Sequence, residues 1–383
     1  MYAHYANVWA EMPSSQYTIV LIDRSKFEGE KAVHGAGDFM RHIEKYDYCY
    51  FDDLITKKIK YKYVVSNHIM GGSGVRPAGR WQRNKAHIKN AIKRVVNPVL
   101  KITRVRNTYE DSRIDAVQYL PLQIGQYQVR FVYGADIGDG WSLQDWNEIY
   151  DLFLCHGPND EEQLRKKFKG KTAIMGYPRY DDYFSESLDI QSVVEEFDLD
   201  PNKKTLLWMS TLGQGASSIP RYAAAIAGLR SDYNIIARPH PLAFRQEPEN
   251  IELLRSLNLN IDGDVTRDMN RLYKAVDWVF CDYGGSPFGA LYLGINLLLL
   301  DVPGSENQFT VANSSNQEIR EHFPVVSQPN GEELFRLLRD DAVWREQEKV
   351  RTRLCRKYFA DLKGSSSRTA VQILSNLDKI IAV

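Results

Sequence analysis

The chain has 383 residues, 43% hydrophobic and 26% charged, with 49 Lys plus Arg against 49 Asp plus Glu. That composition fits a soluble globular protein long enough for two domains with separate cores, and with no net charge bulk electrostatics name no polyanionic partner. Cys49, Cys155, Cys281 and Cys355 stand far apart with no C-x-x-C pair, which argues against a structural zinc site or a disulfide scaffold and fits a reducing cytoplasm.

From the N-terminus, "MYAHYANVWAEMPSSQYTIV" shows no cationic leader ahead of an apolar core, and no window reaches eighteen uncharged apolar residues. Neither a standard secretion signal nor a membrane span is expected. Short β-rich runs follow: "YTIVLID" (17–23), "KYVVSNH" (62–68), "VRFVYG" (129–134), "YDLFLCHG" (150–157) and "TAIMGYP" (172–178). Between the second and third, residues 76–106 hold ten Lys or Arg and no acid, with Trp81, Ile88, Ile92, Val95 and Val96 at roughly helical spacing. Such a segment suits an anionic membrane leaflet, an anionic acceptor or a solvated face. It lacks a zinc-finger or RNP-type signature, so no nucleic-acid partner is expected.

After the acidic "SVVEEFDLDPNKK" (192–204) a second series begins, with "TLLWMS" (205–210), "YNIIARPHP" (233–241), "NLNID" (258–262), "DWVFCDYGG" (277–285) and "NLLLLDVP" (296–303). Strands alternating with helical segments predict parallel sheets covered by helices. The expected fold is α/β, two Rossmann-like domains with a cleft between them. Residues 1–185 form the acceptor-side domain and 186–383 the nucleotide-donor domain, with the C-terminal helix free to cross back.

Ligands of open α/β sheets bind at the carboxyl ends of the strands, so the residues after each run carry the functional information. "TLLWMS" leads into Thr211, Gly213, Ser217 and Ser218, which offer amides and hydroxyls ahead of the helical "RYAAAIAGLR". "YNIIA" leads into Arg238 and His240, framed by prolines that restrict the backbone. "DWVFC" leads into Asp282, Gly284, Gly285 and Ser286, where Gly-Gly permits close approach and Ser-Pro opens a helix whose free amides attract phosphate. Each signal alone is equally a structural cap. Their convergence on one sheet edge predicts an oxyanion site.

The chain is similar here to the CDP-glycerol glycerophosphotransferase family, the teichoic-acid-type polymerases, and to related transferases of surface polysaccharides. The resemblance rests on "YDLFLCHGPNDEEQLRKKF", "MGYPRYDDYF", "NIIARPHPL", "RLYKAVDWVFCDYGGSPFGALYLGINLLLLDVP" and "YFADLKGSSSRTAVQIL", within residues 129–376. It implies a GT-B fold with the donor nucleotide on the C-terminal domain and the acceptor approaching from the N-terminal one. Members usually carry a His-Gly pair at an N-domain strand end, the histidine being a proposed base. This chain has Tyr133 and Gly134 in that place, and tyrosine, with a reference pKa near ~10, is a poor base at neutral pH.

Asp136 is therefore the expected base, with Asp139 behind it and His68 as the alternative; an equal reading is that both aspartates merely populate a turn. His156 restores a His-Gly pair in appearance but aligns with a later strand end. His240 is expected to act with Arg238 on the departing phosphate. The activity expected is transfer of a glycosyl unit from a nucleotide-linked donor to a glycan or lipid-linked acceptor. No metal and no cofactor beyond the donor are expected, and the location expected is cytoplasmic, peripheral at the inner membrane face of a bacterium. Alternatives are CDP-glycerol-dependent glycerophosphate transfer, a nucleotide-sugar 2-epimerase and a non-catalytic nucleotide-binding module.

Overall fold

The computed structural model describes residues 2–22, 36–68, 119–138, 142–213, 215–307, 311 and 313–381. Asp139 and the basic stretch 76–106 lie outside them. In the N-terminal half, β3 (Tyr61–Ser66), β4 (Gly125–Phe131), β5 (Leu152–Cys155) and β6 (Lys171–Ile174) form a parallel sheet in sequential order, and β1 (Ile19–Leu21) pairs in parallel with β2 (Tyr48–Tyr50). In the second half, β7 (Lys204–Ser210), β8 (Tyr233–Pro239), β9 (Asn260–Ile261), β10 (Trp278–Cys281), β11 (Asn296–Leu300) and β12 (Val325–Val326) form a parallel sheet ordered β12-β11-β10-β7-β8-β9.

The apolar runs of the second sheet have this form because both faces are covered. Val279 and Cys281 join one core with Leu207, Ile236, Leu297 and Leu299. Their neighbours Trp278 and Phe280 point the other way, into a core with Leu206, Trp208, Ile235, Leu298 and Leu300. Period-two alternation with two apolar faces leaves no polar side for solvent, and the strands read as unbroken hydrophobic runs.

The order of that sheet reverses between β7 and β10. The chain leaves β7 toward β8 and β9, then returns to the opposite side of β7 to build β10, β11 and β12. Loops after β7 and β10 therefore diverge and leave a crevice at their carboxyl ends.

The two halves share core. Ala135, Tyr177 and Tyr180 pack with Phe288, Tyr292, Leu354, Tyr358 and Phe359. The helix Ser366–Leu374 returns to the first half, where Ala370 and Leu374 pack with Tyr5, Val8 and Phe131. Its start is fixed by the Asp181 carboxylate, which accepts from the amides of Ser366 at 3.2 Å and Ser367 at 2.6 Å.

The returning segment passes so close to Gly157 that a Cβ there would stand 2.5 Å from both Phe359 Cα and Tyr358 O. Backbone atoms are the obstacle, and the Ala360 amide is already bonded to the His156 carbonyl at 3.0 Å, so little relaxation is available. Gly157→Ala is expected to destabilise the fold by about 1–3 kcal/mol, the range for overpacking a filled site. Urea unfolding of the variant beside wild type measures this, and an unchanged midpoint would contradict the close approach.

Candidate active site

The crevice at the β7/β10 reversal is organised by Asp282. Its side chain is 1% exposed, and Oδ2 accepts from the amides of Thr211 at 3.0 Å and Ser218 at 2.7 Å. One carboxylate oxygen thus ties the loop after β7, and the start of the helix Ile219–Ala227, to the end of β10. Burial pushes the Asp282 pKa up to about 6 against those amide bonds. Asp282 supports the crevice from beneath. Its place in the sequence had suggested a direct phosphate contact.

Around this anchor the backbone is shaped for close approach. Gly284 adopts φ +95°, a conformation that a side chain would strain, and its amide donates to Asn316 Oδ1 at 3.2 Å. A Cβ on Gly284 would lie 3.9 Å from Thr211 Oγ1, which puts the two strand ends face to face. Gly285 precedes the helix Ser286–Leu293, with Pro287 in its first turn. Beneath that helix, Gly289 leaves room for the hydroxyls of Tyr180 and Tyr273.

The remaining residues named from the sequence fall into distinct roles. Ser218 is fully buried and accepts from Trp208 Nε1 at 3.0 Å, while the Gly213 amide donates to Glu247 Oε1 at 2.7 Å. Ser217 is buried, with Oγ 3.4 Å from the Ile219 amide. These groups hold the loop. Arg238 is paired with the buried Asp262, which also takes Arg267 Nε at 2.8 Å, so its guanidinium is committed to that ion pair.

His240 accepts from the Leu242 amide through Nδ1 at 3.2 Å. That bond puts the proton of the neutral ring on Nε2, where it can be donated to a ligand. Burial lowers the His240 pKa, with Glu247 opposing, so the neutral form prevails near pH 7.

From the other half, the loop after β4 crosses to meet this edge. The Ser315 amide donates to the Ile137 carbonyl at 2.9 Å, and Gly138 bridges Ser314. Asp136 Oδ1 lies 3.8 Å from where a Cβ on Gly285 would stand, and a Cβ on Gly134 would collide with that same oxygen. Burial raises the Asp136 pKa, while its own backbone N–H and the nearby His156 act in the opposite sense. Asp136 and the Gly284–Ser286 turn are thus brought together across the cleft.

Tyr133, 41% exposed, has its ring centroid 4.4 Å from that of His4. His68 instead packs against Trp146, ring centroids 4.8 Å apart, and burial with the charge of Arg130 brings its pKa down to about 4. Such a group is a weak proton acceptor at neutral pH. His156 is fully buried, with Nδ1 3.1 Å from Asp160 Oδ2, and Asp160 also receives the His156 and Gly157 amides ahead of the helix Pro158–Lys167.

Sequence reasoning missed Asn316, Glu247, His4 and Arg179. Arg179 lies inside the quoted "MGYPRYDDYF". The others carry no local signal, since only the fold brings them to the cleft.

Residues 139–292 match the model of the CDP-glycerol:poly(glycerophosphate) glycerophosphotransferase family. Over that segment the chain is similar to this family. The segment runs from just after Asp136 into the helix that opens at Ser286, and so includes the turns after β7, β8 and β10 but neither Asp136 nor Asn316. No curated protein sequence matches the chain. Among solved structures, the wall teichoic acid polymerase TagF superposes with a TM-score of 0.53 at 13% identity, covering 70% of this chain and 77% of that one. A TagF variant soaked with CDPG gives 0.55 at 13% identity over 86% and 93%. The UDP-GlcNAc 2-epimerase of Neisseria meningitidis, bound to UDP-GlcNAc, gives 0.51 at 13% identity over 98% and 96%. At such identities the likeness speaks for architecture, and it shows the GT-B fold. No helix among the described residues is long and apolar enough to cross a membrane.

The anchoring role of Asp282 has a pH signature. Its folded pKa lies above the unfolded value near ~4, so folding favours the protonated form, and the contribution is present below about pH 4 and lost as pH rises through about 6. Asp282→Asn does not titrate. The stability of Asp282→Asn relative to wild type is expected to increase by on the order of 3 kcal/mol from about pH 4 to about pH 7. Urea unfolding of both proteins at the two pH values tests this, and a flat difference would contradict the burial argument.

Proposed function

We propose that the chain transfers a phosphate-linked unit of the glycerol-phosphate type from a CDP-activated donor to an acceptor hydroxyl, as a step in building a surface polymer. The observation that carries this is the approach of the Asp136 carboxylate to Gly285, which sets a proton acceptor from one half against a phosphate-accepting turn of the other. The family match supports a glycerol-phosphate donor over the sugar donor expected from the sequence. Tyr133 favours the second reading, a glycosyl donor, because the histidine usual for glycerophosphate transfer is replaced there.

In the proposed reaction the acceptor hydroxyl gives its proton to Asp136 while its oxygen attacks the phosphorus of the transferred unit. The bond from that phosphorus to the bridging oxygen breaks, and the electron pair leaves with CMP. The Thr211 hydroxyl, the amides of Gly285 and Ser286 and the Nε2–H of His240 would receive the CMP phosphate, electrostatic work fixed in place before the reaction. Metal independence belongs to this proposal, with the helix start and hydrogen-bond donors doing what a divalent ion does elsewhere; turnover unaffected by EDTA is the expected result.

Mass spectrometry of products from CDP-glycerol and from a panel of nucleotide sugars, with and without a glycerol-phosphate primer, decides the class. Conversion of a nucleotide sugar without acceptor would favour the epimerase alternative, and binding without turnover the non-catalytic one. Asp136→Asn is expected to lower turnover by roughly 10²–10⁴ with CMP affinity near that of wild type. His240→Ala is expected to weaken CMP binding by about 1.5–3 kcal/mol. Turnover retained in Asp136→Asn would remove it as base.

Membrane contact through Arg76 to Arg106 is likewise proposed, supported by the acid-free run itself. Sedimentation with anionic vesicles is expected to be salt-reversible and to weaken when Arg83, Lys85, Lys89, Lys93 and Arg94 become glutamine. Equal binding to neutral vesicles would refute it.

A further inference from the structure

Arg179 follows β6 in the short helical segment Pro178–Phe184, where the two halves of the chain meet. Its carbonyl accepts from Asn270 Nδ2 of the second half at 3.1 Å, and its Nη1 donates to His4 Nδ1 of the N-terminal helix at 3.0 Å. Neutral phenols surround it, those of Tyr180, Tyr177, Tyr273 and Tyr133, with the guanidinium carbon 5.5 Å from the Tyr180 ring centroid. None of these partners is a carboxylate, and among the described residues Arg179 has no ion pair. Its Nε is buried without an acceptor among the described residues.

A guanidinium stays charged at any pH the protein meets, and a charge taken out of water is costly unless an opposite charge receives it. The other partly buried arginines of the second half illustrate the usual remedy: Arg238 and Arg267 share Asp262. Arg179 has instead a neutral partner. Burial and the charge of Arg179 itself hold the His4 pKa well below its ordinary value, so that ring orients the guanidinium through Nη1 without supplying a counter-charge. The edge formed by Nε and Nη2 has no acceptor among the described residues, and this is the edge with which arginine takes two oxygens of a phosphate at once.

We propose that the Nε and Nη2 edge of Arg179 binds a phosphate oxyanion on the floor of the cleft, with His4 fixing the guanidinium plane and Tyr133 packed on His4. This would be a phosphate contact separate from the Gly284–Ser286 turn. The oxyanion belongs to one of two sources, the nucleotide donor or a phosphate at the growing end of the acceptor. The inference rests on the proposed transfer of a phosphate-linked unit and names a further contact for it.

Calorimetric titration of inorganic phosphate, CMP and glycerol 3-phosphate, at constant ionic strength, into wild type, Arg179→Gln, Arg179→Lys and His240→Ala tests the proposal. Arg179→Gln is expected to weaken inorganic phosphate binding about 10- to 100-fold, with Arg179→Lys between it and wild type. A parallel loss for CMP assigns the contact to the donor; a loss for glycerol 3-phosphate with CMP unchanged assigns it to the acceptor. Folded Arg179→Gln with wild-type affinity for all three probes overturns the inference, as does a wild type that does not bind phosphate. If Arg179→Gln does not fold, Arg179→Lys decides, because it keeps the charge and loses the fork; undiminished affinity for all three in that variant overturns the proposal. Failure of CMP to bind wild type would count against the transferase proposal, and the inorganic phosphate and glycerol 3-phosphate arms would still decide Arg179.

Discussion

The Asp282 carboxylate, bonded to the amides of Thr211 and Ser218, is the constraint on which the crevice depends. Parallel order reverses between β7 and β10, so the segments leaving these strands run to opposite sides of the sheet, and topology alone would let them separate. A single buried oxygen holds both. Removing a carboxylate from water is costly, and two amide donors offset only part of that cost, which is why the group binds its proton more tightly than a free aspartate does. The backbone amides near it are thereby fixed before any ligand arrives, and fixed dipoles stabilise charge without the reorganisation that mobile ones require.

Beneath the crevice the two halves are joined through aromatic rings. Tyr177 lies 4.8 Å from Tyr180 and 5.5 Å from Phe359, and Tyr180 lies 5.6 Å from Tyr273. Residues from the N-terminal half, the connecting segment and the C-terminal return all contribute to this layer. Such packing resists small displacements, because rings in a dense core have few alternative arrangements. The placement of Asp136 against Gly285 therefore has support from below, from the Tyr177 to Phe359 layer, and from the side, where Ile137 and Gly138 bond to Ser315 and Ser314.

Much of the architecture was legible because the core strands announce themselves. Each of the ten apolar runs read from the sequence overlaps one of the observed strands, though the run 129–134 catches only the last three residues of β4. The two missed strands explain themselves: β2 is three residues, "YCY", directly followed by a helix, and β12 is two valines after a proline. Runs that short carry no periodicity to read. Of the site, the sequence-local part was visible, namely the turns after β7, β8 and β10. What side chains do there was not, since the ion pair of Arg238 depends on Asp262, and the burial of Asp282 on both flanking loops. His4 illustrates the limit most plainly: nothing in "YAHYAN" marks it, and it matters only because the N-terminal helix packs at the junction of the two halves.

Tyrosine at position 133 changes the demands on its neighbours. A histidine in that place would bring both a proton acceptor and a source of positive charge, whereas a phenol near neutral pH supplies neither. In the proposed reaction the two tasks are separated. Proton acceptance falls to Asp136, whose burial moves it upward from the ordinary carboxylate range and so toward a better base, with Gly134 leaving the space that its oxygen occupies. A second carboxylate nearby would be unhelpful, because the incoming phosphates are themselves anionic and repel it. Compensation for their charge must come from groups that do not exchange protons with Asp136, and a guanidinium meets that condition because it holds its charge throughout the cycle.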